Sequence, residues 1–186
     1  MKLLPESPVE FLAPLSKTPD RITVTGVQTP FGPFVMASCG EALLRAQMHT
    51  SLPAFIQAIR EKWDTEVRID AGPFREVITQ VEEYFSGKPV QIRAVVKPLT
   101  DSVFTRTVHE FLARIPYGET LTYREMAEEI GNNRAARAVG GACGRNPVLL
   151  IVPCHRVVAA HGLGGFGAGL ELKERLLDLE KKYPAR

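Results

Sequence analysis

Cysteine is scarce in this chain: Cys39, Cys143 and Cys154 are the only three in 186 residues. An odd, low count in a chain this long argues against a disulfide framework and suits a reducing compartment, where a free thiol survives. No two cysteines have the Cys-x-x-Cys spacing of a zinc site. The four histidines, His49, His109, His155 and His161, are scattered, so no structural metal is expected. Long apolar runs are also missing. None approaches the roughly 20 residues that cross a bilayer. The N-terminal "MKLLPESPVEF" lacks the apolar core of a signal peptide. A cytoplasmic protein (nuclear in a eukaryote) with no membrane partner is therefore expected. Internal repeats and low-complexity segments are absent as well.

One absence is local. Between Gly131 and Leu170 there is no acid, while Arg134, Arg137, Arg145 and Arg156 all fall there. The net charge of +2 hides this polarity. Residues 1–90 carry 9 basic and 11 acidic side chains, and residues 91–186 carry 14 and 10. A stretch with one sign of charge reads as an anion-facing surface, with nucleic acid the commonest partner. Four arginines alone would equally suit a solvated face.

What is present is ordinary for a soluble globular protein, at 45% apolar and 24% charged residues. The first twenty residues hold four prolines and read as an irregular arm. "RITVTGVQT", "FGPFVMASCG" and "EALLRAQMH" then read as three short antiparallel strands. "SLPAFIQAIREKW" and "PFREVITQVEEYFSG" read as helices, the second with Phe74, Val77, Ile78, Val81, Tyr84 and Phe85 at helical spacing and Gly87 closing it. The Pro-punctuated "KPVQIRAVVKPLTD" marks a boundary, giving an N-terminal α/β domain over 1–97 and a C-terminal helical domain over 98–186.

The second half is mostly helical. In "SVFTRTVHEFLARI", Phe104, Val108, Phe111, Leu112 and Ile115 share a face and Pro116 ends the helix, with His109 expected at the surface. "TYREMAEEIG" opens with Thr122 and Glu125 spaced as a capping box. "NNRAARAVGGAC" follows at once and reads as helical until its glycines, with Cys143 packing at its end. Cys39, in a strand, is expected half-buried. The last helix, "LELKERLLDLEKKY", presents Leu172, Leu176, Leu179 and Tyr183 on one face.

The pair joined by the Gly-Asn turn is a helix-turn-helix candidate with unusual side chains. A helix that reads bases carries long polar residues. This one offers Ala135, Ala136, Ala138, Val139, Gly140, Gly141 and Ala142, with Arg134 and Arg137 supplying charge. Small residues let a backbone approach closely, either to a neighbouring helix or to the shallow minor groove of a duplex, without sequence preference.

"NPVLLIVPCHRVV" carries the chemistry. Val148 to Val152 read as a short buried strand, broken by Pro153, that would fix Cys154 and leave it exposed. The thiol could be a metal ligand, a buried bystander or a nucleophile. Taken alone, a cysteine after an apolar run is more often core. A reactive one needs a base or a positive environment. His155 is the candidate base, directly or through a water. A histidine base needs a third group to set its tautomer. Glu180, at the edge of the last helix's apolar face, is a candidate, though exposed helix glutamates are common.

Together these segments resemble the O6-alkylguanine-DNA alkyltransferase family. The resemblance runs from about Phe104 to Glu180 through "FTRTVHEFLARIPYGETLTY", "NNRAARAVGG", "RNPVLLIVPCHRVV" and "LKERLLDLE". The first half matches only as an architecture. The resemblance implies an α+β protein: an N-terminal small antiparallel sheet with helices, a ribonuclease H-like roll, and a mostly helical C-terminal domain with a winged-helix type of helix-turn-helix. It implies that Cys154 accepts an alkyl group, that His155 acts on it through water and that Glu180 holds His155. It also implies that Asn146 orders the turns around the site and that Tyr123 rotates the nucleotide and donates a proton to the leaving guanine. Arg137 fills the gap left in the base stack. Arg134, Ala135, Ala138 and Arg145 would line the DNA face with it. A guanine pocket would be walled by Val157, Pro153 and the loop carrying Phe166, Gly167 and Ala168. In that loop Phe166 stands where a tyrosine is common and Ala168 near a usual glycine.

The implied activity is DNA repair by direct reversal. The partner is double-stranded DNA carrying O6-alkylguanine, with O4-alkylthymine as a second lesion. It is bound through the minor groove by a monomer that needs no cofactor and is consumed in one turnover. The zinc ligands of some relatives are missing from the N-terminal half, and an additional regulatory domain is not expected. Three rival functions fit the residues less well. A lesion-binding sensor lacks the acceptor cysteine, which is present here. A cysteine hydrolase would need an oxyanion hole. A sequence-reading regulator would need a polar recognition helix.

Overall fold

The computed structural model describes residues 4–100 and 102–184. The N-terminal arm is more ordered than its prolines suggest. Within it, β1 (Val9–Phe11) pairs in parallel with a strand over Ala94–Val96. Three antiparallel strands follow as read: β2 (Arg21–Thr29), β3 (Gly32–Cys39) and β4 (Ala42–Met48). Helix α1 (Leu52–Lys62) is capped by Ser51, whose hydroxyl accepts the Ala54 N–H at 3.3 Å, and accommodates Pro53 in its first turn. Strand β5 (Glu66–Ile69), helix α2 (Arg75–Phe85) and strand β6 (Ala94–Val96) complete this half.

The sheet is therefore larger than the three-stranded antiparallel one expected. It has six strands in the order β1-β6-β4-β3-β2-β5, and β1–β6, β4–β6 and β2–β5 are parallel pairs. The added strands are three or four residues long and pair with distant partners. Parallel pairs have no hairpin turn to betray them, so nothing local in the sequence announces these strands.

The two faces of the sheet do different work. One packs Ile22, Val24, Val35 and Leu44 against Phe55 and Ile59 of α1. The other, through Phe34, Met36 and Met48, joins a core that includes Tyr84 and Val81 of α2 and runs on into the helical half at Val108, Leu112, Met126, Val139 and Leu176.

That second half contains α3 (Val103–Leu112), β7 (Leu121–Thr122), α4 (Tyr123–Glu129), α5 (Ala136–Gly144), β8 (Val157–Val158) and α6 (Leu170–Lys182). Thr122 and Glu125 form the predicted capping box of α4. Four expectations need correction. Helix α3 ends at Leu112, short of Pro116. His109 is buried, not at the surface, and its Nε2 donates to the Ala142 carbonyl at 3.0 Å, tying α3 to α5. Helix α5 is not ended by Gly140 and Gly141 but runs through them to Gly144. Tyr183 caps α6 from the surface, 40% exposed, rather than extending its buried face.

The two-residue ladder β7–β8 pairs Leu121 with Val157 and Thr122 with Val158 in parallel. It fixes the chain just after Cys154 beside the start of α4, and so brings Tyr123 to the thiol. Among the described residues, no helix is long and apolar enough to cross a membrane.

Candidate active site

The run from Val148 to Val152 is buried, but it is a turn rather than a strand. Leu150 has φ +72, and the run is held by single bridges, Val148 to Ala46 of β4 and Leu149 to Val152. Asn146 staples this turn shut. Its Oδ1 accepts the Val148 N–H at 3.1 Å, and its Nδ2 donates to the Val152 carbonyl at 2.7 Å and to Cys154 Sγ at 3.2 Å. Cys154 then opens a 3-10 turn, Cys154–Arg156. Its side chain is not left exposed as expected: the residue is 6% accessible. Burial pushes the thiol's pKa up, while the Asn146 amide and the nearby Lys173 charge pull it back.

His155 is fully buried and its Nε2 donates to Glu180 Oε1 at 2.8 Å. This bond fixes the tautomer and leaves Nδ1 free to accept. Among the described residues, Nδ1 has no hydrogen-bond partner. Burial lowers the imidazole's pKa, against the opposing pull of Glu180. The resting pair is thus a neutral thiol and a neutral imidazole.

Glu180 is 1% exposed and is the most heavily bonded carboxylate in the site. Besides His155, it accepts from Tyr84 Oη at 2.6 Å, from the Gly118 N–H at 2.9 Å, and from Arg156 Nε and Nη2 at 3.0 Å. Burial alone would raise its pKa. His155 and Arg156 override that and hold it well below the usual carboxylate range. Arg156, given no chemistry from the sequence, braces this anion and also donates to the Ile115 carbonyl at 2.7 Å.

The loop after β8 closes over the thiol. Lys173, fully buried on α6, donates from Nζ to the carbonyls of Val157 at 2.6 Å, Leu163 at 2.6 Å and Gly165 at 3.2 Å. Tyr123 Oη donates to the Gly165 carbonyl at 3.2 Å. Gly164, at φ +70, lets the loop lie on the Tyr123 ring: a Cβ there would stand 2.7 Å from a ring carbon. Burial raises the Tyr123 pKa, keeping the phenol protonated and able to donate. Phe166 meets the His155 ring edge-on at 6.5 Å between centroids. Gly167, Ala168, Asn146, Cys143 and Cys154 line a cleft of 610 Å³ that continues between the sheet and the helices. Pro153 and Val157 are buried behind the thiol.

On α5, Arg137, Ala138 and Gly141 are exposed on one side, with Arg134 before the helix and Arg145 after it. Arg145 also donates to Thr105 Oγ1 at 3.2 Å. Ala135 does not belong to this surface. It is buried, because its side chain packs into the core.

Two residues that shape the site were not legible in the sequence. Tyr84 lies unremarked in the apolar stripe of its helix. Lys173 carries one usable signal, a lysine between Leu172 and Leu176 on the buried side of α6.

Comparison with known proteins finds relatives over both halves of the chain. The family model "6-O-methylguanine DNA methyltransferase, DNA binding domain" matches residues 103–182, and the model of the same family's ribonuclease-like domain matches residues 22–98. A methylated-DNA–protein-cysteine methyltransferase of Mycobacterium leprae is 41% identical over 156 residues, 83% of this chain and 90% of that protein. One from Methanosarcina barkeri is 38% identical over 161 residues, 83% and 94% of the two chains. The crystal structure of Mycobacterium tuberculosis O6-methylguanine methyltransferase superposes with a TM-score of 0.74 at 36% identity, over 88% of this chain and 95% of that one. The Mycobacterium tuberculosis protein in complex with DNA gives 0.75 at 36% identity, over 87% and 94%.

Proposed function

The chain belongs to the 6-O-methylguanine DNA methyltransferase family, and on that footing we propose that it repairs alkylated duplex DNA by moving the alkyl group from guanine O6 to Sγ of its own Cys154. It is a methylated-DNA–protein-cysteine methyltransferase, and DNA is its partner. The observation that carries the assignment of residues is the buried chain Cys154–His155–Glu180, stapled by Asn146, lying beside an exposed helix of small residues.

A thiol this buried meets only what enters its pocket. A base stacked in a duplex cannot enter, so the nucleotide must be rotated out, at a cost of a few kcal/mol. Helix α5 approaches the minor groove through Ala138 and Gly141, and Arg137 takes the place of the extruded base. Arg134 and Arg145 pair with flanking phosphates.

Once the guanine is in the pocket, the Cys154 proton passes through a water to Nδ1 of His155. Glu180 stabilises the imidazolium through Nε2–H. The thiolate attacks the alkyl carbon. The S–C bond forms as the C–O6 bond breaks, and the electron pair stays on guanine. Tyr123 supplies the proton that neutralises the leaving base. The product is a thioether, whose S–C bond does not hydrolyse because a thiolate is a poor leaving group from an alkyl carbon, so each molecule turns over once. O6-alkylguanine is the lesion in this reading and O4-alkylthymine a second one, with the protein acting as a monomer in a reducing compartment.

The test uses a duplex with one O6-methylguanine and excess protein, followed by digestion and mass spectrometry. One methyl on the Cys154 peptide, saturating at one equivalent, is the expected result. Tight binding without mass gain would favour a lesion sensor, and a methyl on Cys39 or Cys143 would move the acceptor.

A further inference from the structure

Every group in the Cys154–His155–Glu180 chain comes from the second half of the molecule, yet one donor to Glu180 does not. Tyr84 sits on α2, within the ribonuclease-like segment 22–98, and is 1% exposed. Its ring is wedged edge-on against Tyr117 at 5.6 Å and Phe85 at 5.2 Å. Its hydroxyl therefore has one position, 2.6 Å from Glu180 Oε1 and 3.5 Å from His155 Nε2. Oε1 is the same oxygen that accepts the His155 proton donor. Tyrosine and histidine thus donate to the same carboxylate oxygen.

We propose that Tyr84 is a positioning residue for alkyl transfer: by donating to Glu180 Oε1 it sets how readily His155 takes up the Cys154 proton. A donor on Oε1 draws off negative charge that would otherwise stabilise an imidazolium. Tyr84 thus tempers the carboxylate and keeps the resting thiol protonated until DNA arrives. The sheet domain thereby takes part in the chemistry rather than only supporting it.

Other groups face the pair as well. Arg156 lies against Glu180 from the 3-10 turn, and Tyr117 and the Gly118 N–H approach from the loop before β7. Lys173 faces the thiol from α6, and Cys143 of α5 lies on the same cleft. Tyr84→Phe alters none of these groups chemically.

The inference rests on Cys154 as the acceptor but is testable without any lesion. The rate at which iodoacetamide alkylates Cys154 is measured against pH, with the site of modification read by mass spectrometry. In Tyr84→Phe the profile should move toward acid, with Cys154 reacting about threefold to tenfold faster on the rising limb. Incorporating 3-fluorotyrosine at position 84, a stronger donor of nearly the same shape, should move it the other way. This second variant decides the matter if Tyr84→Phe fails to fold. In a Glu180→Gln background Tyr84→Phe should give no further shift. Profiles that superpose on the wild type, with only the melting temperature changed, would reduce Tyr84 to a packing residue. A shift that persists without the Glu180 charge would overturn the route proposed. Failure of methyl transfer in the wild-type protein would instead overturn the repair function and leave this result readable.

Discussion

Glu180 shows how much a single buried charge can organise. Four residues donate to it, and three separate segments of chain place them: α2, the loop before β7 and the 3-10 turn that carries both His155 and Arg156. Its depressed folded pKa makes a pH prediction with a definite sign. The unfolded carboxyl titrates near about 4.3, so the stability it contributes is complete above that value and is lost as pH falls through the lower folded value. Glu180→Gln should therefore flatten the acid limb of a pH–stability curve measured by denaturant unfolding. It should also cost about 3–5 kcal/mol near neutrality, because Arg156 is left buried without its anion. Asn146 makes a second residue-scale test. Asn146→Ala removes three bonds around one turn, and should cost about 1–3 kcal/mol in thermal unfolding. Single-turnover methyl transfer should slow with it, since the thiol loses the Asn146 amide as a donor.

At the scale of elements, α5 and the loop after β8 divide the labour. On the function proposed, helix α5 would offer DNA a face of small residues beside Arg137, and its affinity would come from close approach and charge. Arg134→Ala should lower the salt dependence of duplex binding by a slope of about 0.9, one phosphate contact, with no change in sequence preference. If Arg137 takes the place of the extruded base as proposed, Arg137→Ala should leave binding to undamaged duplex nearly intact while slowing transfer. The loop depends on Gly164. Gly164→Ala would put a methyl group into the Tyr123 ring at a left-handed backbone position. It should cost about 1–3 kcal/mol and slow transfer by displacing the phenol, measured by calorimetry and single-turnover kinetics together.

The whole molecule behaves as one packed body despite its two family segments. The main core runs from Phe34 and Tyr84 to Val139 and Leu176 without a break. The halves are also joined by the Ala46–Val148 bridge, by Arg175 stacked 4.2 Å over Phe31, and by Arg114 donating to the carbonyls of Leu4 and Pro5. A single calorimetric transition is expected, with calorimetric and van't Hoff enthalpies in agreement. Two separate transitions would show that these contacts do not couple the halves.

Chemistry tied to local order is legible in the order of residues alone. The capping box at Thr122 and Glu125, the apolar faces of α2 and α6, the small-residue helix and the Pro-Cys-His-Arg run are all short-range patterns, and each depends only on neighbours along the chain. The sequence by itself therefore determined which thiol stands beside which imidazole and the acid-free stretch around them. The tertiary structure alone decided the rest. Strands β1, β5 and β6 are too short to signal themselves and exist because distant partners satisfy their backbone. His109 is buried because α5 offers it a carbonyl, and Cys154 is hidden because a turn, not a strand, carries it. Tyr84 reaches Glu180 across 96 positions of sequence. A buried carboxylate must find its donors wherever the fold places them, and no pattern along the chain records that pairing.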